Sequence, residues 1–119
     1  MKQFFFLIIL YTTIFATDNS YEKGRILYID KACSNCHGTN AEGSNIYPKL
    51  ANRLKNLLTQ KLQQFQEGKF DTQTQEIMFG FVKSLTKQDI DDLSTYLANY
   101  QKESEKKYKL DASLLGSVD

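Results

Sequence analysis

Soft metal ligands, proline and glycine are all scarce in this chain. Its 119 residues contain two cysteines, one histidine, two methionines, one proline and six glycines. A structural zinc site needs four ligands, and two cysteines and one histidine with no partner cluster do not supply them. A single proline, few glycines and mixed charge argue against disorder through the middle of the chain. The balance of 15 basic and 14 acidic side chains leaves a net charge of +1, and no basic run is interleaved with aromatic residues. Nucleic acid is therefore not the expected partner. No repeat, low-complexity tract or linker divides the chain, and its length suits one small domain. Beyond the N-terminal stretch there is no β-branched alternation, so a sheet is not expected and the fold class is all-α.

What soft-ligand supply there is sits in one place. Cys33-Ser34-Asn35-Cys36-His37 forms a C-x-x-C-H run that uses both cysteines and the only histidine. This is the pattern of covalent c-type haem attachment. Two thiols one helical turn apart can each form a thioether with a haem vinyl group, and the adjacent histidine lies where it can bind iron. A disulfide between two cysteines this close on a helix is strained. A thioredoxin-type site expects a preceding strand and a βαβ pattern, which the chain lacks. A small domain often needs a staple, and a large apolar haem plate serves as one.

The N-terminus reads as a processing segment. Lys2 precedes a dense apolar stretch from Phe4 to Phe15, and Thr17-Asp18-Asn19-Ser20 then turns polar. The pattern is that of a secretory signal over residues 1–16, cleaved after Ala16. Ile14, two residues before Ala16, is larger than such a site prefers. The stretch is shorter than the ~20 residues of a spanning helix. A retained anchor is the alternative, and stable membrane insertion after cleavage is not expected. Export agrees with the cysteine motif and implies the periplasm. Removing Lys2 with the signal leaves 14 basic and 14 acidic side chains.

The working domain is expected over residues 17–102. Asp18, Asn19 and Ser20 are candidate caps for a helix from Tyr21 to Ala32. That helix is expected to run straight into Cys33 and Cys36 and stop near Gly38. A polar loop follows from Gly38 to Pro48. A second helix is expected from Ala51 to Glu67, with Leu54, Leu57, Leu58, Leu62 and Phe65 as its apolar stripe. Thr72 to Lys83 holds a short, partly helical element with an apolar cluster around Gly80. Thr86 and Asp89 open the last helix, which runs to about Gln101 and buries Ile90, Leu93, Tyr96, Leu97 and Tyr100. Asp91 and Asp92 are read as solvating it. Residues 103–119 are expected to be a frayed helix end and a mobile tail.

Met78 is the only methionine after the signal segment, and thioether sulfur is a soft ligand suited to reduced iron. His37 and Met78 are the candidate axial ligands. Lys83 or Lys87 would serve if Met78 does not.

From Tyr21 to Gln101 the chain resembles the small single-haem class I cytochromes c of bacterial periplasms. Cys33, Cys36, His37 and Gly38 match the C-x-x-C-H-G signature. Tyr47-Pro48-Lys49-Leu50-Ala51 is similar to that family's proline segment. Met78, followed by Leu85-Thr86-Lys87-Gln88-Asp89-Ile90, is similar to its methionine loop and last helix. Gly24 and Tyr28, set against Leu93, Tyr96 and Leu97, resemble its crossing of first and last helices. The resemblance implies three to five helices around one covalent haem c. It also implies that the Pro48 carbonyl accepts the proton of the second His37 nitrogen and so orients the ligand. Arg53 or Tyr47 is placed to meet a haem propionate.

The leading functional expectation is electron transfer without catalysis, between transient redox partners. A quinol-oxidising complex would be the donor, and an oxidase, a reductase or a peroxidase the acceptor. Lys31, Lys49, Lys83 and Lys87 flank the motifs and are candidates for a positive collar toward acidic partners. Lys106-Lys107-Tyr108-Lys109 is a second docking candidate. The alternative function is a five-coordinate haem peroxidase or small-ligand sensor, which requires Met78 to be displaced from the iron.

Overall fold

The computed structural model describes residues 19–102 as a set of five helices, with no strand among the described residues. The expected signal segment and the tail from residue 103 lie outside the described residues, as does the second docking candidate. The helices are α1 (Ser20–Asp30), α2 (Ser34–His37), α3 (Lys55–Gln66), α4 (Gln73–Val82) and α5 (Lys87–Ala98).

Helix α1 starts where a side chain satisfies its free amides. Asn19 accepts from the Glu22 amide at 3.0 Å. The helix does not run into the cysteines as expected. It ends at Asp30, and Ala32 takes a left-handed φ of 59°. This break re-aims the chain so that α2 leaves as a separate turn carrying Cys36 and His37. Alanine has no preference for that conformation, which is why the break was not visible in the sequence.

Helices α1 and α5 cross at Gly24. A Cβ at that position would overlap the Asp92 carbonyl oxygen and the Tyr96 Cβ, so only glycine lets the two backbones approach this closely. Tyr96 packs edge-on against Tyr21 at 5.1 Å and tilts against Tyr28 at 5.7 Å. Ile90, Leu93, Tyr96 and Leu97 are buried as expected, and Tyr100 is partly buried. Thr86 and Asp89 form a reciprocal capping box at the start of α5, with bonds of 3.0 and 2.9 Å. Two aspartates of α5 differ from expectation. Asp92 is buried at the crossing and accepts from Gln88 Nε2 at 2.9 Å, and Asp91 pairs with Lys55 of α3 at 2.7 Å.

Helix α3 begins at Lys55, four residues later than the expected start at Ala51. The intervening residues make a turn in which Asn52 has φ 59° and donates its amide to the Leu97 carbonyl at 2.7 Å. Leu58 and Leu62 are buried, whereas Leu54 and Leu57 of the expected stripe are exposed. Helix α4 is a complete helix capped by Thr72, rather than a partly helical piece. On it only Val82 is buried; Ile77, Phe79 and Phe81 are exposed.

Candidate haem-binding site

The cysteine motif is presented by one helical turn. The Cys33 carbonyl accepts from the His37 amide at 3.0 Å, and Ser34 accepts from Gly38 at 3.0 Å. Gly38 then turns the chain away with φ 89°. Tyr28 of α1 anchors the end of this turn: its hydroxyl donates to the Gly38 carbonyl at 2.6 Å.

Both thiols are free. Burial pushes the Cys33 thiol up to about 11, and the Lys31 charge only partly offsets this. Tyr47 hydrogen-bonds the Cys36 side chain, and that contact raises the tyrosine pKa.

His37 is buried, and its Nδ1 lies 2.9 Å from the Pro48 carbonyl oxygen. A carbonyl can only accept, so Nδ1 carries the proton and Nε2 keeps its lone pair free for a metal. The loop that brings Pro48 back to His37 is held by its own backbone. Gly43 donates to the His37 carbonyl at 2.8 Å, Ser44 to Tyr47 at 2.8 Å, and Leu50 and Ala51 both to Ala41 at 2.9 and 3.0 Å. Ala41 is fully buried with φ 51°. At Gly43, with φ 69°, a Cβ would meet the backbone of Pro48 and Lys49. Sequence reasoning missed Ala41 and Gly43. The glycine of this otherwise polar loop was a usable signal, and the alanine offered none.

Cys33, Cys36, His37, Pro48 and Met78 all line one cavity of about 540 Å³. Its size falls in the range of cofactor pockets. Met78 comes from α4 and is partly buried, one turn before Val82 on the same face. Leu57, Ile77 and Phe81 also line the cavity, yet they are 47%, 56% and 42% exposed in the protein alone. Large apolar side chains gathered around one opening mark a surface meant to be covered. The charged residues of the lining are Lys31, Lys49, Arg53 and Lys61, and no carboxylate is among the lining residues. Thiols for thioethers, a histidine with a free nitrogen, apolar walls and a cationic lip suited to two propionates fit a haem.

The sequence model of the cytochrome c family matches residues 21–101. The chain belongs to the cytochrome c family. Cytochrome c-554(547) of Halothiobacillus neapolitanus is 35% identical over 83 residues, covering 63% of this chain and 90% of that protein. The crystal structure of reduced recombinant cytochrome c4 from Pseudomonas stutzeri superposes with a TM-score of 0.61 at 27% identity. That match covers 69% of this chain and 48% of the cytochrome c4 chain, so this chain spans about half the length of that relative. As a cytochrome c, the protein is a haem-based electron-transfer protein with covalently bound haem c, and Cys33 and Cys36 fit its attachment motif.

The arrangement also corrects the expected charge pattern. Lys31 and Lys49 line the cavity, but Lys83 and Lys87 do not; Arg53 and Lys61 complete the lip instead. Lys61 was missed because its place in the second turn of α3, on the same side as the exposed Leu57 and the buried Leu58, becomes evident only once α3 is set against the haem turn. Arg53 donates its Nε to the Lys49 carbonyl at 3.1 Å, which fixes the guanidinium at the rim.

Proposed function

We propose that this cytochrome c carries single electrons in the bacterial periplasm, with His37 and Met78 as the axial ligands of the haem iron, between a quinol-oxidising donor and an acidic acceptor protein. The observation that carries the reading is that one cavity takes His37 from α2 and Met78 from α4, together with both cysteines. The haem supplies the one-electron couple; the chain supplies its ligands, its burial and its access.

Each residue has a defined task in this reading. Cys33 and Cys36 fix the haem covalently. The Pro48 carbonyl holds the His37 proton on Nδ1 and so keeps Nε2 oriented as a strong donor. The Met78 thioether favours the reduced state, raising the potential relative to two nitrogen ligands. With His37 and Met78 both holding the iron, no position on it would be left for a substrate. The apolar wall excludes water, and the cations around the mouth steer an acidic partner toward the exposed edge. Among the described residues no helix is long and apolar enough to cross a membrane. The apolar N-terminal stretch followed by a polar turn supports export.

The test is the absorption spectrum of protein matured with haem, first oxidised and then reduced. A weak far-red sulfur-to-iron band in the oxidised protein, absent from Met78→Ala, is the expected result. A high-spin spectrum, or a band that survives the substitution, would reject Met78 as ligand and favour a peroxidase or sensor.

A further inference from the structure

The element bearing Met78 needs an external fastening at its C-terminal end. The last carbonyls of any helix lack intrahelical partners, and α4 ends without the left-handed residue that usually satisfies them. Its cap, Lys83, stays right-handed at φ −57°, ψ −30°. Besides a donor from its own following turn, its last carbonyl receives one from another helix. Gln66, the last residue of α3, donates from Nε2 to the Val82 carbonyl at 2.8 Å and to the Leu85 carbonyl at 2.7 Å. Both partners are acceptors, so only the amide nitrogen can face them, and both of its protons are used. Leu85 closes the turn by donating its own amide to Val82 at 3.0 Å, and Thr86 caps α5 next to it. One side chain therefore ties the end of α3, the end of α4 and the entry to α5.

Val82 and Leu85 are buried residues of the cavity wall, and Met78 lies one turn before Val82 on the same face. Gln66 does not line the cavity itself. We infer that Gln66 is a positioning residue for the Met78 ligand: its two hydrogen bonds hold α4 at the height from which the thioether reaches the iron. The inference rests on the proposed His37/Met78 ligation. The role belongs to the amide donors rather than to the volume of the side chain. Gln66→Glu keeps the shape but presents a carboxylate to two carbonyl oxygens, and Gln66→Leu removes both bonds.

Imidazole competes with the thioether for ferric iron, so its affinity reports how readily the Met78 segment lifts away. The experiment titrates oxidised holoprotein with imidazole and follows the far-red band. Gln66→Leu should bind imidazole about tenfold more tightly than the parent protein, the size expected from losing hydrogen bonds of ordinary strength. Gln66→Glu should shift in the same direction, and it serves as the second variant if the leucine protein does not mature. Covalent haem and helix content should match the parent in both. Equal imidazole affinity with a lowered urea midpoint would reveal a purely structural glutamine and overturn the inference alone. A parent protein with no far-red band, or one whose band survives Met78→Ala, would overturn the ligation and the inference together.

Discussion

Tyr28 is 1% exposed, lines the haem cavity and spends its hydroxyl proton on the Gly38 carbonyl. Burial, followed by repulsion from the neighbouring Cys33, Tyr96 and Glu42, drives its pKa far above the ordinary tyrosine range. In the unfolded chain the same phenol ionises near pH ~10. The folded state therefore binds more protons above that pH, and stability falls as pH rises from there toward the folded value. Tyr28→Phe should flatten this alkaline loss in urea titrations run at rising pH. At neutral pH it should cost about 1 kcal/mol for the missing hydrogen bond. An unchanged alkaline slope would show that Tyr28 is free to ionise in place. At this scale the sequence was a good guide wherever chemistry dictates residue type. Cys33, Cys36, His37 and Met78, singled out by residue type, and Pro48, singled out by the family resemblance, all line one cavity. It was a poor guide to backbone geometry. Ala32, Ala41 and Asn52 all adopt positive φ, and these angles are imposed by long-range contacts such as the Asn52–Leu97 bond, not by the residues themselves.

Among the elements, α1 and α5 were legible because their signals are local and reinforce one another. A cap at Asn19, a close-approach glycine at Gly24 and the Thr86–Asp89 capping box each follow from residue type and spacing. Helix α3 was placed four residues early because Ala51–Leu54 has acceptable helix propensity, while the tertiary structure uses it as a turn hydrogen-bonded to α5. Helix α4 was underestimated because its apolar cluster lacks a clear single face; the exposed Ile77 and Phe81 line the cavity instead of packing into the protein core. Two substitutions separate packing from capping. Gly24→Ala forces a methyl group into the Asp92 carbonyl and Tyr96, which fixed backbone cannot relieve. It should cost about 1–3 kcal/mol, toward the upper end of overpacking effects. Thr86→Ala removes one half of the capping box and should cost about 1 kcal/mol. In a domain of this size each kcal/mol lowers the melting temperature by about 4–8 °C. Thermal melts followed by far-UV circular dichroism would rank the two. Neither residue lines the cavity, so both variants should keep the parent's haem spectrum. A changed spectrum in Gly24→Ala would mean that the helix crossing also sets the position of the haem turn.

At the scale of the whole molecule, near-neutrality conceals a segregated charge distribution. The net charge is +1, yet Lys31, Lys49, Arg53 and Lys61 gather at one opening with no carboxylate among its lining residues. None of the four makes an ion pair among the described residues, whereas Lys55 and Lys69, away from the cavity, pair with Asp91 and Glu67. Two propionates can neutralise at most two of the four cations, so a positive surplus remains where a partner would approach. Composition could not locate this surplus, because it depends on how α3 lies beside the haem turn. The consequence is kinetic. A cation-rimmed mouth speeds encounter with anions and slows it with cations, without changing the driving force. Oxidation by an anionic complex such as ferricyanide should therefore be fast at low ionic strength. It should slow several-fold at physiological ionic strength, where the screening length is about 8 Å. A cationic oxidant such as hexaammineruthenium(III) should show the opposite dependence. Lys49→Glu combined with Lys61→Glu should invert the ranking of the two reagents in stopped-flow traces. The same exchange at Lys83 and Lys87, which lie off the lip, should leave it nearly intact. If the second pair mattered as much as the first, the field guiding partners would be that of the α4–α5 turn, and acidic proteins would be expected to dock on that side instead.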